Sequence, residues 1–340
     1  MSDYALLVLP AVNRVYGQAA PALTAAELGV FGQTVLGGRV EGIGHREIGG
    51  VPYVTFTAPS LSDEDVRHLS NLSSIHALFE LTEGGERLRP IGLSRLDRYD
   101  DDLLTIPRYT GKTNESFTKL LVNLALVCGT AARSYLDPDT RVRVLDPVCG
   151  RGTALHQAFM YGLDAAGVEV DGRDVDAYET FFVGWLKDKR LKHKVEQARI
   201  RRDGKVVGHR TDIAVGGSKA EVKAGGASSI TIVEDDTRHV ADHFKKATFD
   251  ALVADLPYGI QHDTRELRLG DVLPAWLRVL KPGAALALAW NTRAVKRAEI
   301  LAELTSAGVD VREGPPFDGF GHRVDRTIQR DVVVAVTPGR

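Results

Sequence analysis

The sequence predicts an α/β protein in which a doubly wound, mostly parallel sheet follows a small α+β unit. Three observations predict it. From about residue 115 onward, strand-like apolar runs alternate with amphipathic helical stretches across short loops. One of those strands, RVRVL (141–145), runs straight into DPVCGRGT (146–153), an acid, a proline and two glycines at a strand end. In a doubly wound sheet that is where ligands sit. The last two strand-like runs, VDVREG and RDVVVAV, have no helical stretch between them and are expected to pair antiparallel at the sheet edge.

Taken in order, YALLVLP (4–10) and VPYVTFT (51–57) read as strands, with LTAAELGVF (23–31) a helix between them. SDEDVRHLSNLSSIHALFEL (62–81) opens on a serine cap and acids, carries apolar residues at helical spacing, then turns strand-like. Residues 1–85 therefore read as the α+β unit, which holds no chemical motif and whose expected role is substrate docking or structure. Residues 86–110, with the acid run RLDRYDDD, read as a linker. The second domain spans 111–340. ESFTKLLVNLALVCGTAARSY is its first amphipathic helix, and DPDT turns into RVRVL. The helix TALHQAFMYG, the strand AAGVEV and the helix DAYETFFVGWLKDKRL follow. SSITIVEDD and FDALVADLPYG are the third and fourth strands. GDVLPAWLRVLKPG is a helix stopped by Pro282 and Gly283, AALALAW the fifth strand, and RAVKRAEILAELTSAG the last helix before the final two strands. Residues 187–224 break this rhythm with twelve Lys and Arg against five acids. They read either as a solvated β-ribbon with charged faces or as a basic arm that contacts phosphates.

The composition narrows the class. A formal net charge of −2 gives no global field towards polyanions or membranes, so any such attraction must come from a local patch. Two cysteines, Cys128 and Cys149, are too few for a disulfide framework and fit a reducing cytoplasm. The amino-terminal MSDYALLVLPAVNRVYG lacks a basic leader region, and no uncharged run is long enough to span a bilayer, so no membrane partner is expected.

The chemistry concentrates at the strand ends. Gly150 and Gly152 let a ligand approach the backbone closely, and the loop feeds a helix amino terminus. After GRGT come Ala154, Leu155 and His156 with no third glycine, which disfavours a pyrophosphate. The next strand ends at Glu169, where a carboxylate can accept both ribose hydroxyls. The third ends at Asp236, placed to meet an adenine amino group, and the fourth ends in Asp255. Four successive strands ending in acids point to a nucleoside with a charged tail and no diphosphate: S-adenosylmethionine.

These residues carry a resemblance. LDPVCGRGT resembles the DPxCGxGT motif of class I methyltransferases that act on amino nitrogens of nucleic acids, and DLPYG resembles their (D/N/S)-P-P-(Y/F) motif. GKTNESFTKLLVNLAL (111–126) is similar to the helix before the cofactor loop in the guanine-N2 tRNA methyltransferases, the group of the THUMP-associated and tRNA guanosine-10 enzymes. The resemblance covers about residues 105–336 and implies a Rossmann-like, seven-stranded methyltransferase sheet. It implies that Asp146, Pro147, Cys149, Gly150, Gly152 and Thr153 hold the amino-acid end of the cofactor. It also implies that Glu169 holds the ribose, and Asp236 with Thr237 the adenine. Asp171 is a second candidate for the ribose, or else a helix cap. Cys149 is implied as packing rather than as a nucleophile. Two features depart from the pattern. Leu256 stands for the first proline, which is expected to loosen the turn, and the amino-terminal stretch is short for a ferredoxin-like linker plus a complete THUMP domain.

The implied catalytic group is Asp255, Leu256, Pro257 and Tyr258. An exocyclic amine is a poor nucleophile because its lone pair is delocalised into the ring. Asp255 can accept one N–H and the Leu256 carbonyl another, orienting the nitrogen and offsetting its growing positive charge. Tyr258 can stack on the base, and Pro257 fixes the turn. No metal is required: the sulfonium supplies the electrophile, and His193 and His209 have no ligand spacing. Trp185, Trp276 and Trp290 read as core. His322, Arg323 and Arg326 read as a solvated loop or a phosphate grip. The expected function is methylation of a base amine, most specifically guanine N2 in tRNA, with RNA as partner through the insertion at 187–224. The same chemistry on DNA, a protein amide or a small-molecule amine, and a non-catalytic nucleic-acid-binding protein, stay open.

Overall fold

The computed structural model describes residues 1–10, 14–85, 87–109, 111–224, 228–257 and 268–339. The first unit is built from β1 (Ser2–Val8), α1 (Arg14–Thr34), β2 (Glu41–Ile48), β3 (Val51–Ala58), α2 (Asp63–Leu69), β4 (Ile75–Thr82) and β5 (Arg87–Ile91). Its five strands lie in the order β2-β3-β1-β4-β5, antiparallel throughout. Ser62 caps α2 in a reciprocal box with Asp65, as its position before three acids predicts. Two strands escape the sequence reading. β2 is a largely exposed edge strand without an apolar alternation. β5 falls inside the stretch read as a linker, where its pairing with β4 rather than any apolar face defines it.

The second unit continues with α3 (Asp102–Thr105), α4 (Glu115–Val127), β6 (Arg143–Asp146), α5 (Thr153–Met160), β7 (Asp164–Glu169) and α6 (Gly172–Asp188). β8 (Lys192–Arg202), β9 (Lys205–Gly216), α7 (Lys219–Ala224), β10 (Ser228–Glu234), α8 (Val240–His243) and β11 (Phe249–Asp255) follow. The chain then forms α9 (Leu269–Val279), β12 (Leu280–Asn291), α10 (Arg297–Ser306), β13 (Asp310–Arg312), β14 (His322–Arg323) and β15 (Gln329–Val336). The sheet runs β13-β15-β12-β11-β6-β7-β10-β9-β8, with β14 on β15. β12, β11, β6, β7 and β10 are parallel, and β15 enters antiparallel between β12 and β13. The order reverses beside β6, so the loop after β6 lies at the topological switch point. Pro282 and Gly283 lie where the β11–β12 register jumps, and α9 has already ended at Val279.

Period-two alternation sorts the strands onto two cores. Val144, Val253, Ala287 and Ala289 join one with Phe117 and Leu121 of α4 and Phe159 of α5. Leu145, Leu252, Leu286 and Leu288 join the other with Trp276 of α9 and Ile300 of α10. Small alanines on β12 let α4 lie close to the sheet. The first core also takes in Leu23, Leu28 and Phe31 of α1, so the two units share one apolar interior. The basic stretch folds as the β8–β9 ribbon, which extends the sheet beyond β10. Among the described residues, no helix is long and apolar enough to cross a membrane.

Candidate active site

Loop 146–153 is stitched to the end of β7. The Cys149 N–H donates to Val168 O at 3.0 Å, the Gly150 N–H to Glu169 Oε2 at 2.8 Å, and the Gly152 N–H to Cys149 O at 2.8 Å. Both glycines have left-handed backbones, with φ of 50° at Gly150 and 73° at Gly152, but for different reasons. A Cβ at Gly150 would meet nothing within 4 Å, whereas one at Gly152 would lie 2.2 Å from the Tyr178 ring. Cys149 is buried with its sulfur against β7: a Cβ at Gly167 would lie 2.5 Å from Sγ. Burial raises its thiol well above the usual range, so the residue packs rather than attacks. Pro147 is buried. Thr153 opens α5 and shares a 3.0 Å hydrogen bond with Tyr109, whose ring lies under the Arg151 guanidinium.

Three carboxylates converge at this edge. Asp146 is buried, accepts the Val148 N–H at 3.1 Å, and is pushed up to about 8 by burial, with the charges of Asp255 and Glu169 adding to the effect. Burial also raises Glu169, whose other oxygen accepts the Asp171 N–H at 2.8 Å. Asp255 lies at the end of β11. Its Oδ2 accepts from Thr113 Oγ1 at 2.7 Å and pairs with the Arg330 guanidinium at 2.7 Å. Arg330 in turn lies over the Phe117 ring. Thr113 and Arg330 sit before α4 and on β15, far from β11 in sequence, and carry no motif that would single them out. Val170, between Glu169 and Asp171, is 70% exposed, an apolar side chain left bare beside two acids.

The remaining candidates divide. Asp171 caps α6, accepting the Arg173 N–H at 2.9 Å and pairing with its guanidinium, which holds the carboxyl below its usual range. Asp236 follows β10 and caps a short turn. Burial works against its charge, but the Arg238 guanidinium and N–H outweigh it and hold the carboxyl low. Thr237 is buried and its hydroxyl takes the Trp276 N–H at 2.8 Å, so that side chain supports α9. Leu256 does not loosen the turn. Its N–H, which a proline would lack, donates to Ala289 O at 2.8 Å, and its side chain joins the second core. Pro257 is exposed; Tyr258 lies outside the described residues.

His209 is not isolated in the basic stretch, as its spacing suggested. Its ring nitrogens meet Glu234 at 2.7 Å and Glu179 at 3.0 Å, and with Asp176 and Glu179 it forms a group within 4.8 Å. His322 is buried against Phe117 and Tyr16 and is packing, not a phosphate grip. All three tryptophans are core.

A cofactor with both a sulfonium and an ammonium is cationic overall. A buried Asp146, raised by burial and by the charges of Asp255 and Glu169 beside it, next to a loop with open space over Gly150, fits such a cation and would repel a pyrophosphate. Sheet and site together define an S-adenosylmethionine-dependent methyltransferase. The model of the UPF0020 family, described as the RMKL-like methyltransferase domain, matches residues 123–312, more than half of the chain, and the chain belongs to that family. No curated protein matches it. Among solved structures, the chain is similar to a TehB-like SAM-dependent methyltransferase from Corynebacterium glutamicum ATCC 13032. The TM-score is 0.33 at 12% identity, over 58% of this chain and 82% of that one. An rRNA methylase from Streptococcus thermophilus gives 0.33 at 12%, over 61% and 94%. A precorrin-6y C5,15-methyltransferase from Geobacter metallireducens GS-15 gives 0.39 at 12%, over 71% and 98%.

Proposed function

We propose that this methyltransferase acts on the exocyclic amine of a nucleic-acid base, with guanine N2 in tRNA as the substrate and RNA as the partner. One observation carries the reading: Asp255 is fixed from two other elements at the exit of β11, directly before Leu256 and Pro257, and beside the acidic loop. With Oδ2 occupied by Thr113 and Arg330, Oδ1 is left to accept an amine N–H, and the Leu256 carbonyl follows in the chain to take the second. A guanidinium on the far oxygen fixes Asp255 as an acceptor that orients the nitrogen, and its open Oδ1 would pass on to solvent the proton that the nitrogen sheds once methylated.

The bound cofactor supplies an electrophilic methyl. Asp146 and the loop through Gly150 to Thr153 would hold its amino-acid end, and Glu169 its ribose. Val170 would cover one face of the adenine, and Asp236 would meet the amino group with the lone pairs that Arg238 leaves. The test is transfer of tritium from labelled cofactor into tRNA, followed by mass spectrometry of the nucleosides. N2-methylguanosine formed by the wild type and lost in Asp255→Ala is the expected result. Transfer to no RNA pool removes the substrate reading.

A further inference from the structure

We propose that the tip of the β8–β9 ribbon clamps the sugar–phosphate backbone of the substrate, an inference that rests on the nucleic-acid reading above. β9 pairs with β10 only as far as Arg210, opposite Val233, while the β8–β9 ladder continues to Arg202 opposite Lys205. β10 is parallel to β7 and ends beside Glu169. The five residues 205–209 and their partners on β8 therefore overhang the carboxyl edge, by about 15 Å at strand rise. That is the edge of Asp146, Glu169 and Asp255.

The root of the overhang is fixed. His209, opposite Arg199, is held by Glu234 and Glu179, and the Arg202 side chain reaches back from the last pair of the ladder to Asp235 at 2.8 Å. A Cβ at Gly208 would lie 2.0 Å from Glu234 O, so the ribbon presses on the end of β10. From that root outward, starting at Arg199 opposite His209, three cations besides Arg202 are unspent. Arg199, Arg201 and Lys205 are exposed, and among the described residues none of the three has an ion pair. Val206 and Val207 beside them are 49% and 40% exposed, apolar surface of the kind a ribose or base can cover.

Position separates these cations from the rest of the basic stretch. Lys192, Lys194, Lys219 and Lys223 gather round a cavity at the other end of the ribbon, where β9 meets the start of β10, on the edge away from the acids. From β11 to β8 there are five strand spacings, about 24 Å. At about 3.4 Å per stacked nucleotide, the tip would grip phosphates roughly seven nucleotides from the target. A long or folded RNA reaches both places, and a trinucleotide reaches only Asp255.

The experiment measures tRNA affinity by fluorescence anisotropy between 50 and 200 mM salt, with roughly one counterion released per phosphate contact. R199A/R201A/K205A is expected to lose at least tenfold in affinity, with the slope of log K against log salt flatter by about 2–3. K219A/K223A is expected to keep both, and adenosylhomocysteine binding by calorimetry is expected to be unchanged in either variant. Wild-type affinity and slope in the tip variant would overturn the clamp alone. A wild type that holds no tRNA at 50 mM salt would overturn the nucleic-acid reading and the clamp with it.

Discussion

At the scale of single residues, two glycines with one residue between them carry different loads. Gly150→Ala forces a side chain into a left-handed backbone with open space around it, costing about 1–2 kcal/mol of stability, and its methyl would stand where a ligand must approach. Gly152→Ala adds a clash with the Tyr178 ring to the same backbone cost, so its loss is expected to exceed that of Gly150→Ala by about 1–3 kcal/mol. Thermal melts should rank the two in that order, while calorimetry with adenosylhomocysteine should find Gly150→Ala folded but impaired. Asp146 makes a second prediction. Its folded pKa of about 8 lies above the unfolded value of about 4, so the folded chain binds this proton more tightly. The contribution to stability is therefore present at low pH and declines as pH rises between the two values, by at most about 1.4 kcal/mol per unit, levelling above 8. Asp146→Asn should remove that slope. A cationic ligand favours the ionised carboxylate, so cofactor binding at pH 7 should release close to one proton from the wild type and none from Asp146→Asn. Calorimetry in two buffers of different ionisation enthalpy reads this directly.

At the scale of elements, Asp255 sits at a junction. β11 presents Asp255, the segment before α4 brings Thr113, and β15 brings Arg330. Arg330→Ala leaves Oδ2 held by Thr113 alone, and is expected to lower kcat by about tenfold or more while leaving cofactor affinity near wild type. Arg330→Lys should recover little, because a point charge does not reproduce the fork geometry of a guanidinium. Equal loss of cofactor binding would mean that Arg330 holds the fold rather than the acid. The sequence exposed one side of this junction and hid the other. DPVCGRGT and DLPYG are legible because close backbone approach and a strand-end acid demand particular residues within a few positions. Thr113 and Arg330 are ordinary residues more than 70 positions from Asp255, brought in only by the sheet order. The same logic separates the strands. β7, β11 and most of β12 are buried on both faces and read as apolar runs, whereas β2 and β5 are polar edge strands defined by pairing with a neighbour. Leu256 shows a motif misleading on its own terms, since what matters there is the N–H to Ala289 that the residue retains.

At the scale of the whole molecule, the amino-terminal unit is part of the catalytic unit's interior. Glu27 on α1 is fully buried and accepts from Ser73 N–H at 2.9 Å, Ser73 Oγ at 2.6 Å and Asn123 Nδ2 at 2.7 Å. Asn123 lies on α4, also donates to Asn71 O, and accepts from Tyr161 at 2.9 Å. One polar network thus crosses the boundary within a shared apolar core, which ties the two sheets into one cooperative structure. Burial pushes the Glu27 carboxyl above its usual range even with these donors, so the network is costly to form and costlier to break. Glu27→Ala would strand the Ser73 N–H and the Asn123 amide, with an expected loss of about 2–4 kcal/mol. The three tryptophans, Trp185, Trp276 and Trp290, all lie in the second unit, while Glu27 lies in the first. If the units unfold together, Glu27→Ala must shift the tryptophan fluorescence transition by the same amount as the far-ultraviolet dichroism, and Asn123→Ala from the other side must do likewise. Because the two residues are in contact, the double variant should lose less than the sum of the single ones. A fluorescence midpoint that stays at the wild-type value in Glu27→Ala would separate the units, and would leave α4, which Thr113 precedes, anchored without help from α1.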